Sequence, residues 1–275
     1  MLKESKALEI SCYVLGAGAF GIFCRWMQDI LAYNDDGLVD ASFWNVAVVF
    51  LILAAGCVFY RFLKKRKDAL QFLPADFCSA LKNEGKIFQF ARIGIGLLMV
   101  AGAGLLAMKS ETDKNASLLL ILSVLGALTG VSFPFLLASA NRPAILNRSL
   151  ISFLSFLPIL FYCIWLLSCY KENSINPVGW DYFIEILTLI FLINASFRIA
   201  GFAFGVTDEW KSMFFSMMSS VLCMMNLADE RYLGLQFMFA ASALMYLDFN
   251  WIILSNLKQG RREVIEEDDG FEYLN

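Results

Sequence analysis

The chain has 275 residues, of which 59% are hydrophobic and only 17% are charged, and it contains no histidine. A soluble domain is about 45–50% apolar and about 25% charged, so this chain has too little polar surface to remain in water. The missing histidine excludes Ser-His-Asp hydrolysis, H-E-x-x-H zinc chemistry and haem ligation through imidazole. The composition therefore predicts a membrane protein without histidine-based catalysis.

Eight apolar segments of about twenty residues predict eight transmembrane helices. This length spans a bilayer core, and a helix satisfies the backbone hydrogen bonds that lipid cannot provide. The seventh segment is the shortest. The segments are Ala7–Ile30, Phe43–Phe62, Ile87–Met108, Ala116–Ala140, Leu150–Cys169, Asp181–Gly205, Met213–Ala228 and Leu233–Leu257. The predicted fold is an all-α, polytopic membrane helix bundle that occupies residues 1–257.

Lys and Arg are distributed unequally between the two sides of this predicted bundle. Fifteen lie on the side of the N-terminus, four lie on the other side, and Arg25, Arg92 and Arg198 lie within spans. The positive-inside rule then places both termini in the cytoplasm, which requires an even number of spans. We expect Arg25, Arg92 and the acidic Glu185 to extend their charges toward the nearest membrane surface.

The longest cytoplasmic loop, residues 63–86, contains a basic run and a predicted short helix. The run Lys64, Lys65, Arg66 and Lys67 either determines topology or also binds anionic lipid headgroups. Pro74, Phe77, Ala80 and Leu81 recur at helical spacing, which predicts a short helix at the membrane interface.

The tail at residues 258–275 is acidic, and we expect it to be disordered. Phe271 and Tyr273 in this tail could bind a protein partner, whereas we expect no nucleic-acid partner. The seven cysteines form no C-x-x-C motif and show no metal-ligand spacing, so the sequence predicts neither a metal nor a cofactor. The run Gly16-Ala-Gly18-Ala-Phe-Gly21 lies inside a span, where glycines favour close helix packing rather than dinucleotide binding.

A polar seam among the last three spans is the candidate functional site. Its members share helix faces and consist of Asn194, Arg198, Ser216, Ser219, Cys223, Asn226 and Asp248. Arg198 and Asp248 lie about 25 Å and about 22 Å along spans that run in the same direction. Similar depth predicts an ion pair between them, because pairing reduces the cost of placing each charge in lipid. The pair either contributes to a solute or ion pathway or only holds the helices together.

The run Gly21-Ile-Phe-Cys-Arg25, followed by Asp35-Asp36-Gly37-Leu38 before the second span, resembles a group of uncharacterised multi-spanning proteins of clostridial gut bacteria. This resemblance implies a bacterial cytoplasmic membrane and no particular activity. Two function classes fit best. The first is a small-solute or ion permease, or a transport-linked component, that uses the polar seam. The second is a non-catalytic membrane subunit or scaffold. An enzyme is not expected, since the spans contain no acidic pair.

Overall fold

A computed structural model describes residues 2–32, 42–65, 77–82, 85–110, 116–141, 148–173, 180–206 and 208–271. These residues form nine α-helices and no strand. The helices are α1 (Leu2–Ala32), α2 (Ser42–Lys64), α3 (Phe77–Ala80), α4 (Lys86–Ser110), α5 (Ala116–Asn141), α6 (Arg148–Asn173), α7 (Trp180–Phe204), α8 (Glu209–Met225) and α9 (Leu233–Phe271).

The described helices confirm the all-α, polytopic bundle. Seven of them are long and apolar enough to cross a membrane, namely all except α3 and α8. Large apolar side chains cover their outer faces, as with Phe43 at 72%, Phe90 at 76% and Ile87 at 83% exposure. Such extensive exposed apolar surface is unusual for a soluble protein and fits contact with lipid.

The seventh predicted span forms α8, which differs from the other long helices. It has 17 residues, or about 25 Å of helix, and eleven of them are buried. It packs against α1, α2, α7 and α9. This helix therefore lies largely inside the bundle, with little surface toward lipid.

Six helices close a ring, in which α4, α5, α6, α7, α8 and α9 each contact the next and α9 contacts α4. Helices α1 and α2 pack outside this ring against α8. We call the end where α1 and α8 finish and α9 begins the Arg25 end. We call the opposite end, where α7 finishes and α8 begins, the Arg198 end. The charge asymmetry of the sequence predicts that the Arg198 end is cytoplasmic.

Glycines allow close contact between helices at two places. A Cβ on Gly96 would lie 2.5 Å from the Gly130 carbonyl oxygen, and a Cβ on Gly102 would lie 2.7 Å from that of Gly234. Only glycine permits backbones to approach this closely, so α4 is in tight contact with α5 and α9. By contrast, a Cβ on Gly104 would meet nothing within 4 Å.

Two further helical segments lie outside the seven long apolar spans and α8. The predicted interfacial helix begins at Phe77, and its Phe77, Ala80 and Leu81 are buried within the protein. It packs among α5, α7 and α9, because those apolar side chains find a protein surface there. The tail predicted to be disordered continues α9 as helix to Phe271, since its Lys, Arg, Gln and Glu residues have high helix propensity. Asp35 to Leu38, Arg66, Lys67, Pro74 and Tyr273 lie outside the described residues.

Candidate functional site: a charged pocket above a buried polar seam

The Arg25 end contains a buried arginine with several acceptors. Arg25 is only 1% exposed, and its Nε lies 2.6 Å from Asp229 Oδ1. Its Nη1 donates to Gln28 Oε1 at 2.8 Å, and its Nη2 lies 3.7 Å from Asp29 Oδ1. The Gln28 amide in turn donates to Asn45 Oδ1 at 2.5 Å. The guanidinium therefore joins α1 directly to the α8–α9 connection and, through Gln28, to α2.

Arg231 extends this network to α6 and α7. Its Nη2 lies 2.7 Å from Asp229 Oδ2, and its Nη1 contacts Glu185 Oε2. Glu185 also accepts a hydrogen bond from Trp165 Nε1 at 3.2 Å. Burial lowers the pKa of Arg231, but the adjacent carboxylates of Glu185 and Asp229 outweigh burial and raise it above its ordinary value. Arg231 is therefore charged and paired with two carboxylates here.

A pocket of about 550 Å³ opens over this network. Its volume lies within the range of about 300–1,000 Å³ that small-molecule sites occupy. Two arginines and three carboxylates give it a polar wall. The lining residues are Arg25, Trp26, Asp29, Ile30, Asn173, Tyr182, Ala228, Asp229, Glu230 and Arg231.

Below the pocket, buried hydroxyl and amide groups continue into the bundle. Asn226 Nδ2 donates to Thr188 Oγ1 at 2.7 Å, while Asn226 Oδ1 has no partner among the described residues. Ser219 Oγ is likewise buried without a partner in that part of the chain. Ser216 donates to the Tyr246 carbonyl at 3.1 Å, which joins α8 to α9. An unpaired polar group in an apolar interior is costly, and this row contains two such atoms.

The polar row ends at a small cavity near the Arg198 end. The Tyr246 hydroxyl lies 2.5 Å from Ser196 Oγ, and both residues line a cavity of about 20 Å³. Phe77 and Leu81 of the α3 segment line the same cavity. Asn256 Nδ2 holds that segment in place by donating to the carbonyls of Ala80 at 2.5 Å and Lys82 at 3.0 Å. The polar row is therefore closed at this end by packed side chains.

The predicted Arg198–Asp248 ion pair is wrong. Asp248 Oδ2 lies 2.7 Å from Nε of Arg92 on α4, a residue for which the sequence predicts no such role. Arg198 Nη1 instead lies 3.5 Å from Asp208 Oδ2, just beyond the end of its own helix. Equal depth is not enough for pairing, because two side chains must also face each other across neighbouring helices.

The predicted extension of Arg25, Arg92 and Glu185 to the membrane surface is also wrong. These side chains are 1%, 2% and 3% exposed, respectively, and each has an oppositely charged partner. A protein partner removes the need to reach water, because it compensates the charge inside the bundle. Arg25 and Glu185 therefore belong to the candidate site.

The other predicted seam residues are distributed unevenly. Ser216, Ser219, Cys223 and Asn226 are all fully buried on α8. Asn194 is half-buried and donates only to Ile190 O of its own helix, so it does not join the seam. The structure adds Thr188 of α7, which accepts from Asn226, and the hydroxyls of Ser196 on α7 and Tyr246 on α9, which contact each other. A single hydroxyl in an apolar span gives little indication of a site in the sequence. An acidic residue beside the end of a span is a clearer indication, and Asp229 could have been predicted as a site residue for that reason.

No protein-family model, curated protein or solved structure matches this chain. In the part of the chain that the structure describes, no group of three or more Asp, Glu or Cys residues could hold a metal ion. The arrangement of the charged pocket and the buried polar row therefore carries the functional argument.

Proposed function

We propose that this integral membrane protein is a permease for a small polar solute or ion, or a transport-linked component. In this proposal it resides in a bacterial cytoplasmic membrane. The observation that carries it is the position of the charged pocket beside the buried polar row, because the pocket-lining Ala228 and Asp229 follow Asn226 of the row within three residues. Such a row offers successive hydrogen-bonding groups to a solute that has left water.

In this proposal the structure corresponds to a state that is open at the Arg25 end and closed at the Arg198 end. The pocket admits a small molecule, while Phe77 and Leu81 cover the cavity at the opposite end of the polar row. Passage then requires a second state in which the Arg198 end opens. Alternating access of this kind is general among membrane transporters.

Accessibility of the polar row tests the proposal without knowledge of the solute. The seven native cysteines are replaced by alanine or serine, and Ser219→Cys is introduced in the polar row. We expect a small cationic thiosulfonate to modify this cysteine from the Arg25 end at least tenfold faster than it modifies Ser123→Cys. Ser123 is a matched control, since it is also buried but bonds only to Leu120 O of its own helix.

Uptake into proteoliposomes follows, with glycerol, glycine betaine and putrescine as neutral, zwitterionic and cationic probes. We expect saturable uptake of at least one probe and at least a tenfold loss with Asn226→Leu, which removes the polar contact to Thr188. Equal modification of the two introduced cysteines, together with no uptake above that of protein-free liposomes, would contradict transport.

A structural membrane subunit is the second candidate, with its buried charges serving only to hold helices together. The ion pairs favour it, because Arg25, Arg92 and Arg231 each join different helices through a carboxylate. Copurification of a stable partner in mild detergent, combined with negative results in both transport assays, would support this second function.

A further inference from the structure

We propose that the surface formed by the end of α2 and the start of α8 binds the headgroup of an anionic phospholipid. This inference is independent of the transport proposal. We call this surface the basic-aromatic patch and define it by Tyr60, Lys64, Lys65, Trp210 and Lys211. It lies at the Arg198 end, which the charge asymmetry of the sequence assigns to the cytoplasmic side.

An aromatic pair joins the two segments of the patch. The rings of Tyr60 on α2 and Trp210 on α8 meet edge to face with their centroids 5.7 Å apart. Tyr60 is 43% exposed, so this pair lies at the surface of the protein. Tyr and Trp are enriched at the level of lipid headgroups, because their rings are apolar and their polar atoms remain hydrated.

A lysine lies on each side of this aromatic pair. Lys64 Nζ lies 6.0 Å from the centre of the Tyr60 ring, and Lys211 Nζ lies 5.8 Å from the centre of the Trp210 ring. The contacts hold two ammonium groups from distant parts of the sequence close to one aromatic surface. A phosphate between them would meet positive charge from both helices.

Positive charges outnumber negative charges around the patch, so the positive charge is only partly compensated. Asp208 lies 2.5 Å from Lys211 and 3.5 Å from Arg198. Arg61 and Lys64 on α2 and Lys65 just after it are exposed, and no carboxylate of the described residues pairs with them. Together with Asp208 and Glu209, these groups amount to five cations and two carboxylates. This balance differs from that of the Arg25 end, where each buried arginine is paired with carboxylates.

An unsatisfied donor also lies beside the patch. Arg198 Nε is buried without a hydrogen-bond partner in the described part of the chain. The guanidinium stacks over Phe215 with its centre 5.2 Å from the ring, which orients it toward Asp208. The local field is therefore positive, and it favours an anionic headgroup over a zwitterionic one. A membrane lipid is the expected occupant, since the aromatic pair is exposed where α2 leaves the bilayer.

Fluorescence quenching tests the proposal in the full-length protein. The protein is reconstituted in phosphatidylcholine vesicles that contain either brominated phosphatidylglycerol or brominated phosphatidylcholine. The signal of the patch is the part of the quenching that Trp210→Phe removes. We expect the brominated anionic lipid to quench this part several times more strongly than the zwitterionic lipid does.

Charge variants then assign the preference to the patch. We expect Lys64→Gln or Lys211→Gln to bring the two lipids close to equal quenching, because the loss of one basic group near a membrane weakens binding of an anionic lipid about fivefold. Lys171→Gln is the matched control, because Lys171 is an exposed lysine at the opposite end of the bundle. We expect this control to retain the full preference.

Three outcomes would overturn the proposal. One is equal quenching of Trp210 by the two brominated lipids, and another is an equal loss of preference in all three lysine variants. The third is loss of the preference on addition of millimolar inorganic phosphate at constant ionic strength, which would identify a site for free phosphate. Since these measurements involve no transport, a negative result in the uptake assay leaves their interpretation unchanged.

Discussion

The two ends of the bundle hold a buried arginine in different ways. At the Arg25 end, the guanidinium of Arg25 contacts Asp229, Gln28 and Asp29, and Asp229 is shared with Arg231. Toward the other end, the guanidinium of Arg92 on α4 contacts one carboxylate, that of Asp248 on α9. The first is a branched network beside an open pocket, whereas the second is a single pair between packed helices.

This difference indicates which contacts can change during function. A branched network beside water can lose one contact and keep its charges compensated, so it suits a region that binds and releases a solute. A single buried pair has no replacement partner, and breaking it leaves an uncompensated charge in the protein interior. We therefore expect Arg92–Asp248 to be a fixed connection between α4 and α9.

The largest expected effect is that of Asp248→Asn. We expect it to lower the free energy of unfolding by about 3–5 kcal/mol, because Arg92 would remain buried without its counter-charge. Chemical denaturation in detergent, followed by circular dichroism, measures this change. Asp208→Asn is the control; its carboxylate is 33% exposed, and we expect a loss below about 1 kcal/mol.

A smaller loss is expected for Asp229→Asn, about 2–3 kcal/mol in the same assay. Arg25 keeps Gln28 and Asp29, and Arg231 keeps Glu185, so neither guanidinium is left alone. An effect equal to that of Asp248→Asn would contradict the contrast between a branched network and a single pair.

Gly102→Ala tests the second connection between α4 and α9, which lies toward the Arg25 end. We expect it to destabilise the protein by about 1–3 kcal/mol, because the new Cβ would lie 2.7 Å from the Gly234 carbonyl oxygen and force the backbones apart. Gly104→Ala is a matched control two residues away, where a Cβ meets nothing within 4 Å. In thermal melting, we expect a clearly lower melting temperature for Gly102→Ala than for Gly104→Ala.

The smallest expected effect is the coupling between Arg198 and Asp248. Arg198→Gln and Asp248→Asn should be additive within about 0.3–0.5 kcal/mol, since the two side chains have different partners. A double-mutant cycle on Arg92 and Asp248 should instead show a clear coupling energy. If Arg198 and Asp248 were strongly coupled, the assignment of partners in the structure would be wrong.

The sequence was sufficient to predict the architecture but not the partners of its charges. Apolar length and the uneven distribution of Lys and Arg predicted the helices and the fold class, because these signals are local or depend only on composition. Pairing depends on which helices are neighbours and how each is rotated, and one sequence contains no direct signal for either. Arg92 and Asp248 are separated by 156 residues, and their pairing requires α9 to close the ring against α4.

The candidate site was predicted only in part, because some of its features are local in sequence and others depend on which helices are neighbours. The stripe of Ser216, Ser219, Cys223 and Asn226 follows from helical periodicity alone, and all four are buried. The pocket above it is formed by α1, α6, α7 and the α8–α9 connection, so it exists only after long-range assembly. Asp208 was within reach of sequence reasoning, since only ten residues separate it from Arg198.

The short, buried α8 has a consequence for how the protein is synthesised and inserted. With four serines among 17 residues, α8 is a poor substrate for a translocon that selects segments by their affinity for lipid. We expect it to enter the bilayer only once α9 has emerged and its serines can bond to the carbonyls of Ala243 and Tyr246. We therefore expect a nascent chain that is cut before α9 to leave α8 outside the bilayer.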